Sequence, residues 1–141
     1  MKNNVYIAGS WKNRDAVKRL MNDIENFGYK ITYDWTNHKG SDKAKDHVEE
    51  DIEGLKECDC LIYCMDGIRS RGKYFELGYV TALGKPVAIY LLPTYYNVIN
   101  PNDENLPFNI IIENESVFIR SRIYPILHTI DELKSWLSNV K

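Results

Sequence analysis

No apolar run in this 141-residue chain is long enough to span a bilayer. The opening Met1-Lys2-Asn3-Asn4 passes into a strand-like segment without the apolar core of a signal peptide. A soluble, cytoplasmic protein that does not engage membranes is therefore expected. Charge of one sign is also lacking: eighteen basic against twenty acidic side chains leave a net charge of -2. No global field draws such a chain onto a polyanion, so nucleic acid is not expected as a partner. Cysteine is scarce, with Cys58, Cys60 and Cys64 crowded into one segment and no second Cys/His pair at the spacing of a zinc knuckle. The three are read as buried reduced thiols on one face of a single strand, and no metal site is expected. Internal repeats and low-complexity segments are missing too.

What is present is ordinary globular composition, 44% hydrophobic and 27% charged, at a length that suits one domain over residues 1–141. Val5 to Ala8 reads as a buried strand closing on Gly9-Ser10. Val17, Leu20, Met21, Ile24 and Phe27 recur at helical steps, which predicts a helix from about Arg14 that stops at Gly28. Lys30 to Tyr33 is a second brief strand, followed by a polar loop from Asp34 to Lys43. Val48, Ile52 and Leu55 place a helix from Ala44 to Glu57, which leads into a third strand from Cys58 to Cys64. A loop from Met65 to Gly72 precedes a helix from Tyr74 to Leu83, ended by Gly84-Lys85-Pro86. Val87 to Leu91 is a fourth strand, and Pro93 to Pro107 a long loop. A fifth strand comes from Val117 to Ile119 or from Ile123 to Leu127. Thr129 and Glu132 then form a capping box that opens a last helix through Leu133, Trp136 and Leu137.

Strand alternating with helix predicts a flavodoxin-like α/β fold, a mainly parallel five-stranded sheet with helices on both faces. Ligands of such sheets bind beyond the carboxyl ends of the strands. Chemistry is therefore expected at Gly9-Ser10-Trp11, at Asp34-Trp35-Thr36 and between Met65 and Gly72.

The segment Ser70-Arg71-Gly72-Lys73-Tyr74-Phe75-Glu76-Leu77-Gly78-Tyr79 turns from strand into helix. Unpaired N–H groups at a helix start let Ser70 and Gly72 hold a phosphate or a sugar hydroxyl. Glu76, one turn further in, is either the reactive acid or a solvated carboxylate that suits the helix dipole; spacing alone leaves both open. Arg69, Arg71 and Lys73 surround Ser70 with positive charge, which either favours a phosphate or is simply solvated. Trp35 can stack on a base while Asp34 fixes the base edge. His38, His47 and His128 show none of the spacings of a serine or cysteine nucleophile and are read as surface or capping residues.

Tyr6-Ile7-Ala8-Gly9-Ser10, Asp51-Ile52 with Leu55, Cys58-Asp59, Ser70 to Gly78 and Gly84-Lys85-Pro86 follow one another in an order that resembles the nucleoside 2-deoxyribosyltransferase family. Its relatives include the 2'-deoxynucleoside 5'-monophosphate N-glycosidases. The resemblance spans the first two-thirds of the chain and ends near Leu92. It implies that Glu76 attacks the anomeric carbon of a 2-deoxy sugar, with net retention there. It further implies that Tyr6 orients Glu76, that Asp51 assists departure of the base, and that Gly9 and Ser10 line the sugar or phosphate end. Each also has an ordinary place: Tyr6 as a core aromatic, Asp51 as a surface helical acid beside Glu49 and Glu50, Gly9-Ser10 as a strand-ending turn. At position 70 the resemblance sets transferases, with an aspartate for the sugar's 5'-hydroxyl, against monophosphate glycosidases, with a serine. Ser70 thus favours a 5'-monophosphate, while Asp66 is a candidate to restore the transferase role.

The expected substrate is a small-molecule deoxynucleoside or deoxynucleotide, cleaved without metal or organic cofactor, with transfer to another base or to water. The resemblance also implies a homo-oligomer, a dimer or larger, whose neighbouring subunit completes the pocket; Asn97, Asn109 and Asn114 are candidate contributors. Two other readings compete: a nucleotide-binding sensor without turnover, and an NAD-cleaving domain of the Toll/interleukin-receptor kind, which also acts through a glutamate.

Overall fold

The computed structural model describes residues 4–38, 43–68, 70–92, 116–121 and 123–140. Its strands are β1 (Asn4–Ala8), β2 (Lys30–Ile31), β3 (Cys60–Met65), β4 (Val87–Leu91) and β5 (Ile126–Leu127). They form one sheet in the order β2-β1-β3-β4-β5, parallel throughout, which is the flavodoxin-like arrangement expected from the sequence. All residues of β3 and β4 are buried, as near-continuous apolar runs require when both faces of a parallel sheet are covered. The chain leaves β1 towards one edge of the sheet and leaves β3 towards the other. A crevice therefore opens beyond the carboxyl ends of these two neighbours.

The helices are α1 (Arg14–Asn26), α2 (Ala44–Glu57), α3 (Arg71–Ala82), α4 (Val117–Arg120) and α5 (Ile130–Asn139). Since β1 leads to one edge and β3 to the other, the right-handed crossover rule for parallel strands puts α1 and α3 on opposite faces. α5 meets the end of α1, where the Lys134 ammonium lies 5.1 Å from the Phe27 ring, and α2 packs beside α3. The apolar stripe of α1 buries Val17, Leu20, Met21 and Ile24. Gly28, at φ 100, and Gly84, at φ 70, take the left-handed conformation that ends α1 and α3.

Several boundaries differ from the sequence expectation. The third strand starts at Cys60 because Cys58 caps α2, with its thiol donating to the Leu55 carbonyl at 3.1 Å. Cys58 is therefore not on the strand face shared by Cys60 and Cys64, although all three are buried, and burial pushes the Cys58 thiol up to about 11. The loop after β3 is only Asp66 to Ser70, since Met65 pairs with Leu91 and α3 already begins at Arg71. The second strand is shorter than expected, and a 3-10 turn, Trp35–Asn37, occupies the loop that follows it. The fifth strand falls within Ile123 to Leu127; the Pro125 carbonyl accepts from Ile89 N–H at 2.9 Å and starts that edge pairing. Val117 to Ile119 is helical instead, wound back onto the Ser116 carbonyl by the N–H groups of Ile119 and Arg120. Thr129 caps α5 by accepting from Glu132 N–H at 3.1 Å, while Glu132 reaches back to His128 N–H at 2.7 Å, one residue earlier than in the standard box. Pro93 to Pro107, and with it Asn97, lies outside the described residues, as do Asn109 and Asn114. No helix among the described residues is long and apolar enough to cross a membrane.

Gly54 sets how closely α2 approaches β1. A Cβ there would stand 2.8 Å from Cβ of Tyr33 and 3.3 Å from the Tyr6 ring. Alanine is the better helix former, yet the clash is with a Cβ that cannot swing aside. Gly54→Ala is expected to destabilise the protein by about 1–3 kcal/mol, read as a lower urea midpoint at an unchanged m-value.

Candidate active site

The crevice beyond β1 and β3 holds a cavity of about 350 Å³. Gly9 and Trp11 reach it from the end of β1, Trp35 and His38 from the segment after β2, His47 and Asp51 from α2, and Ser70, Gly72 and Glu76 from the start of α3. Six of the ten residues expected at the site, Gly9, Trp35, Asp51, Ser70, Gly72 and Glu76, line this one cavity. Tyr6 stands directly behind it.

Tyr6 is completely buried in β1, and its hydroxyl donates to Asp51 Oδ1 at 3.0 Å. Burial pushes the Tyr6 hydroxyl far above its usual value, and the neighbouring Glu76 and Asp51 charges push the same way, so it stays a neutral donor. Burial pushes the Glu76 carboxyl up to about 8. Hydrogen bonding to Tyr6 and the charge of Lys73 oppose that rise, and the nearby Asp51 adds to it. Glu76 Oε2 is buried without a hydrogen-bond partner among the described residues. Asp51 is also raised by burial, against the opposing effects of the Tyr6 hydrogen bond, His38 and His47. Two carboxyl groups thus flank one tyrosine hydroxyl in a poorly solvated recess, where ionising both at once is disfavoured.

At the other end of the cavity, Ser70 is the N-cap of α3 and accepts from Lys73 N–H at 3.4 Å. A Cβ at Gly72 would meet only Glu76 Oε1 and Ser70 Oγ, both at 3.8 Å, so the backbone there is open to the cavity. Ser10 and Asp66 lie beneath the surface instead, 3% and 4% exposed. Asp66 is held by Lys73 Nζ at 2.7 Å and by Ile68 N–H at 3.1 Å. Burial, the largest influence, works to raise its carboxyl, but the charge and hydrogen bond of Lys73 and the Ile68 N–H bond act together to hold it below the ordinary range. Asp66 therefore does not turn into the cavity. Lys73, expected around Ser70 either as charge for a phosphate or as a solvated cation, is only 2% exposed and committed to Asp66; Arg71 is exposed, and Arg69 lies outside the described residues. Gly9 has a packing reason, since a Cβ there would stand 2.6 Å from Val17 Cγ2 and 3.2 Å from the Trp35 ring.

On the remaining side, Trp35 forms wall rather than free platform: it is 8% exposed and its indole N–H donates to the Ile7 carbonyl at 2.7 Å. Asp34 does not line the cavity. Its carboxylate pairs with Lys18 and accepts from Thr36 N–H at 3.0 Å, and although burial favours the neutral acid, these partners keep it below the usual range. Two lining residues passed over in the sequence are His38 and His47, whose ring centroids lie 3.3 Å apart with the planes tilted by 31°, with the Tyr33 hydroxyl bonded to His38. The available signal was that His47 stands four residues before Asp51 on one helix, which puts both on the same face. Trp11, 47% exposed, is a further lining residue, with the Arg14 guanidinium 4.7 Å from its ring centroid. His128 has the capping role expected of it, near Glu132. Among the described residues, no group of three or more His, Cys, Asp or Glu is placed to hold a metal ion.

The raised Glu76 carboxyl has a consequence for stability. Between its ordinary 4.5 and about 8, the unfolded chain releases this proton while the folded chain keeps it. The Glu76 contribution is therefore fully present below 4.5 and falls as pH rises through that window. Glu76→Gln is expected to flatten this slope and to raise stability at pH 8 by about 1–3 kcal/mol. Urea midpoints of the two proteins, measured from pH 5 to pH 8, test this; parallel curves would contradict it.

Residues 5–111 match the profile of the family described as nucleoside 2-deoxyribosyltransferase. No curated protein sequence matches the chain significantly. Among solved structures, the CMP N-glycosidase BcmB of Clostridium botulinum superposes with a TM-score of 0.56 at 17% identity, covering 96% of this chain and 98% of that one. A 2-desoxiribosyltransferase from Leishmania mexicana superposes with a TM-score of 0.50 at 23% identity, covering 63% of this chain and 64% of that one. At these identities the two likenesses are of fold. The profile match covers well over half of the chain and includes every residue that lines the cavity, and on that ground the protein belongs to the nucleoside 2-deoxyribosyltransferase family.

Proposed function

We propose that the protein cleaves the N-glycosidic bond of a 2'-deoxynucleoside or its 5'-monophosphate through a covalent deoxyribosyl intermediate on Glu76. The observation that carries this reading is the convergence of Glu76, Asp51 and the Tyr6 hydroxyl on one cavity at the carboxyl ends of parallel strands. A 2-deoxy sugar lacks the electron-withdrawing 2'-hydroxyl, so its oxocarbenium-like transition state is accessible to a single well-placed carboxylate.

The competent form has its one proton on Asp51 and a negative charge on Glu76. Glu76 attacks C1' and forms the new C–O bond while the C1'–N electron pair departs with the base. Asp51 supplies the proton that neutralises the leaving nitrogen. Water or a second base then attacks C1' from the side the first base vacated. The ester breaks, its electron pair returns to Glu76, and Asp51 recovers a proton from the incoming group. Two displacements give net retention. Tyr6 stays neutral throughout and keeps the two carboxyl groups in register.

Ser70 and Gly72 favour the 5'-monophosphate over the free nucleoside. The Ser70 hydroxyl already accepts one backbone N–H, so its own proton remains to be donated to a phosphate at the positive end of the α3 dipole. That preference rests on the helix start rather than on a ring of cations, because Lys73 is engaged elsewhere. A single domain over residues 1–141, a homo-oligomer whose neighbour completes the pocket and a cytoplasmic setting belong to the same proposal.

Incubation with each deoxynucleoside and deoxynucleoside monophosphate, with and without a second base, followed by chromatography, tests the reading. Free base, or a new nucleoside when a second base is present, is expected, with monophosphates the better substrates. Glu76→Gln is expected to lower kcat by at least about 10³-fold. With the wild-type protein, kcat/KM is expected to fall along a limb near 8, as the free enzyme loses the one proton that the pair holds and that Asp51 must supply to the base. Ligand binding without base release would point to a sensor, and release of nicotinamide from NAD alone to the Toll/interleukin-receptor kind of activity; either result removes the proposal.

A further inference from the structure

We propose that the buried Lys73–Asp66 pair is a positioning device for Glu76, tying the first turn of α3 to the end of β3 and holding a positive charge behind the reactive carboxyl group. The assignment of Glu76 as reactive rests on the proposed function; the electrostatic claim does not.

Lys73 stands three residues before Glu76 on α3, so the two occupy neighbouring positions on the helix surface. Its ammonium is fully engaged: it donates to Asp66 Oδ1 at 2.7 Å and to the Cys64 carbonyl at 3.2 Å, and lies 5.0 Å from the Tyr63 ring centroid. Asp66 is fixed in turn by Ile68 N–H. The start of α3 is thereby anchored to the end of β3 through the Lys73 side chain, at Asp66 and at the Cys64 carbonyl, while the Ser70 cap closes the first turn of the helix itself.

Stability alone is a poor account of this arrangement. A cation in the first turn of a helix opposes the helix dipole. A buried ion pair also costs more desolvation than a well-packed apolar pair of similar volume. What an apolar pair would not supply is charge. The ionisable groups that act on Glu76 are Tyr6 from β1, Asp51 from α2 with His38 and His47 beside it, and Lys73 from its own helix, which in turn has Asp66 and Cys64 beside it. Burial and Asp51 favour the protonated acid, while the Tyr6 hydrogen bond and, less strongly, the Lys73 charge favour the carboxylate that attack requires. Removing the ammonium should leave Glu76 harder to ionise even where the helix keeps its place.

Direct titration of the Glu76 side-chain carboxyl by ¹³C NMR, assigned by the loss of its signal in Glu76→Gln, tests this without relying on turnover. Lys73→Met is expected to raise the midpoint by at least about half a pH unit, and Lys73→Arg, which keeps the charge, to stay within about 0.3 of the wild type. An unchanged midpoint in Lys73→Met overturns the proposal, whether or not activity falls. Should Lys73→Met fail to fold, Asp66→Asn is read in its place: it removes the counter-charge and is expected to lower the midpoint, and a constant or raised midpoint overturns the proposal equally. A shifted midpoint in a protein that releases no base from any deoxynucleotide would remove the glycosidase reading and leave the role of Lys73 standing.

Discussion

Withdrawing a carboxyl group from water beside a second carboxyl group is the constraint around which the site is arranged. Glu76 and Asp51 meet at the Tyr6 hydroxyl, and burial raises both of them. Such a cluster persists only if the backbone on every side is held firmly, because an unpaired buried oxygen would otherwise draw in water. The fold supplies that rigidity from several directions. β1 and β3, paired side by side at the centre of the sheet, carry Tyr6 and the root of the Asp66 loop. Gly54 lets α2 press against the Tyr6 ring, and Lys73 pins the start of α3.

The same constraint links stability to chemistry. A solvated glutamate would be ionised at neutral pH at no cost to the fold, but its charge would be dispersed by water. Glu76 in its recess carries a charge that is poorly compensated and therefore well suited to meet a developing positive centre at a sugar carbon. The part of the molecule that weakens the fold is thus the part expected to carry the reaction, a common relation between active sites and stability. In the proposed reaction Asp51, raised by the same burial, takes up the proton that Glu76 must give up.

Much of this could be read from the residues alone, and the failures follow a pattern. The bounds of α2, Ala44–Glu57, and of β4, Val87–Leu91, follow from apolar spacing and an unbroken apolar run, and the parallel five-stranded sheet follows from strand alternating with helix. Periodicity reports which residues face a core, and these elements face one. Start and end points governed by hydrogen bonds to distant groups were not legible: Cys58 turns its thiol to Leu55 instead of joining β3, and Pro125 offers its carbonyl to Ile89. The same holds within the site. Trp35 looks like a stacking platform until its indole is seen bonded to the Ile7 carbonyl, 28 positions away. Asp34 looks like a base-edge contact until Lys18 on α1 is seen to occupy it. Lys73 reads as one more surface cation because sequence gives no sign that Asp66, across a tight loop, is buried with it. His38 and His47 belong to different elements, and only the folded chain brings their rings together.

The claim on which the functional account turns is that a covalent bond forms between Glu76 and C1' of the sugar. Rapid acid quenching during turnover of a deoxynucleoside monophosphate, followed by proteolysis and mass spectrometry, reads that bond directly. A deoxyribosyl phosphate adduct confined to the peptide that contains Glu76 is the predicted result. Steady base release with no adduct on any peptide, together with inversion at the anomeric carbon, would contradict it.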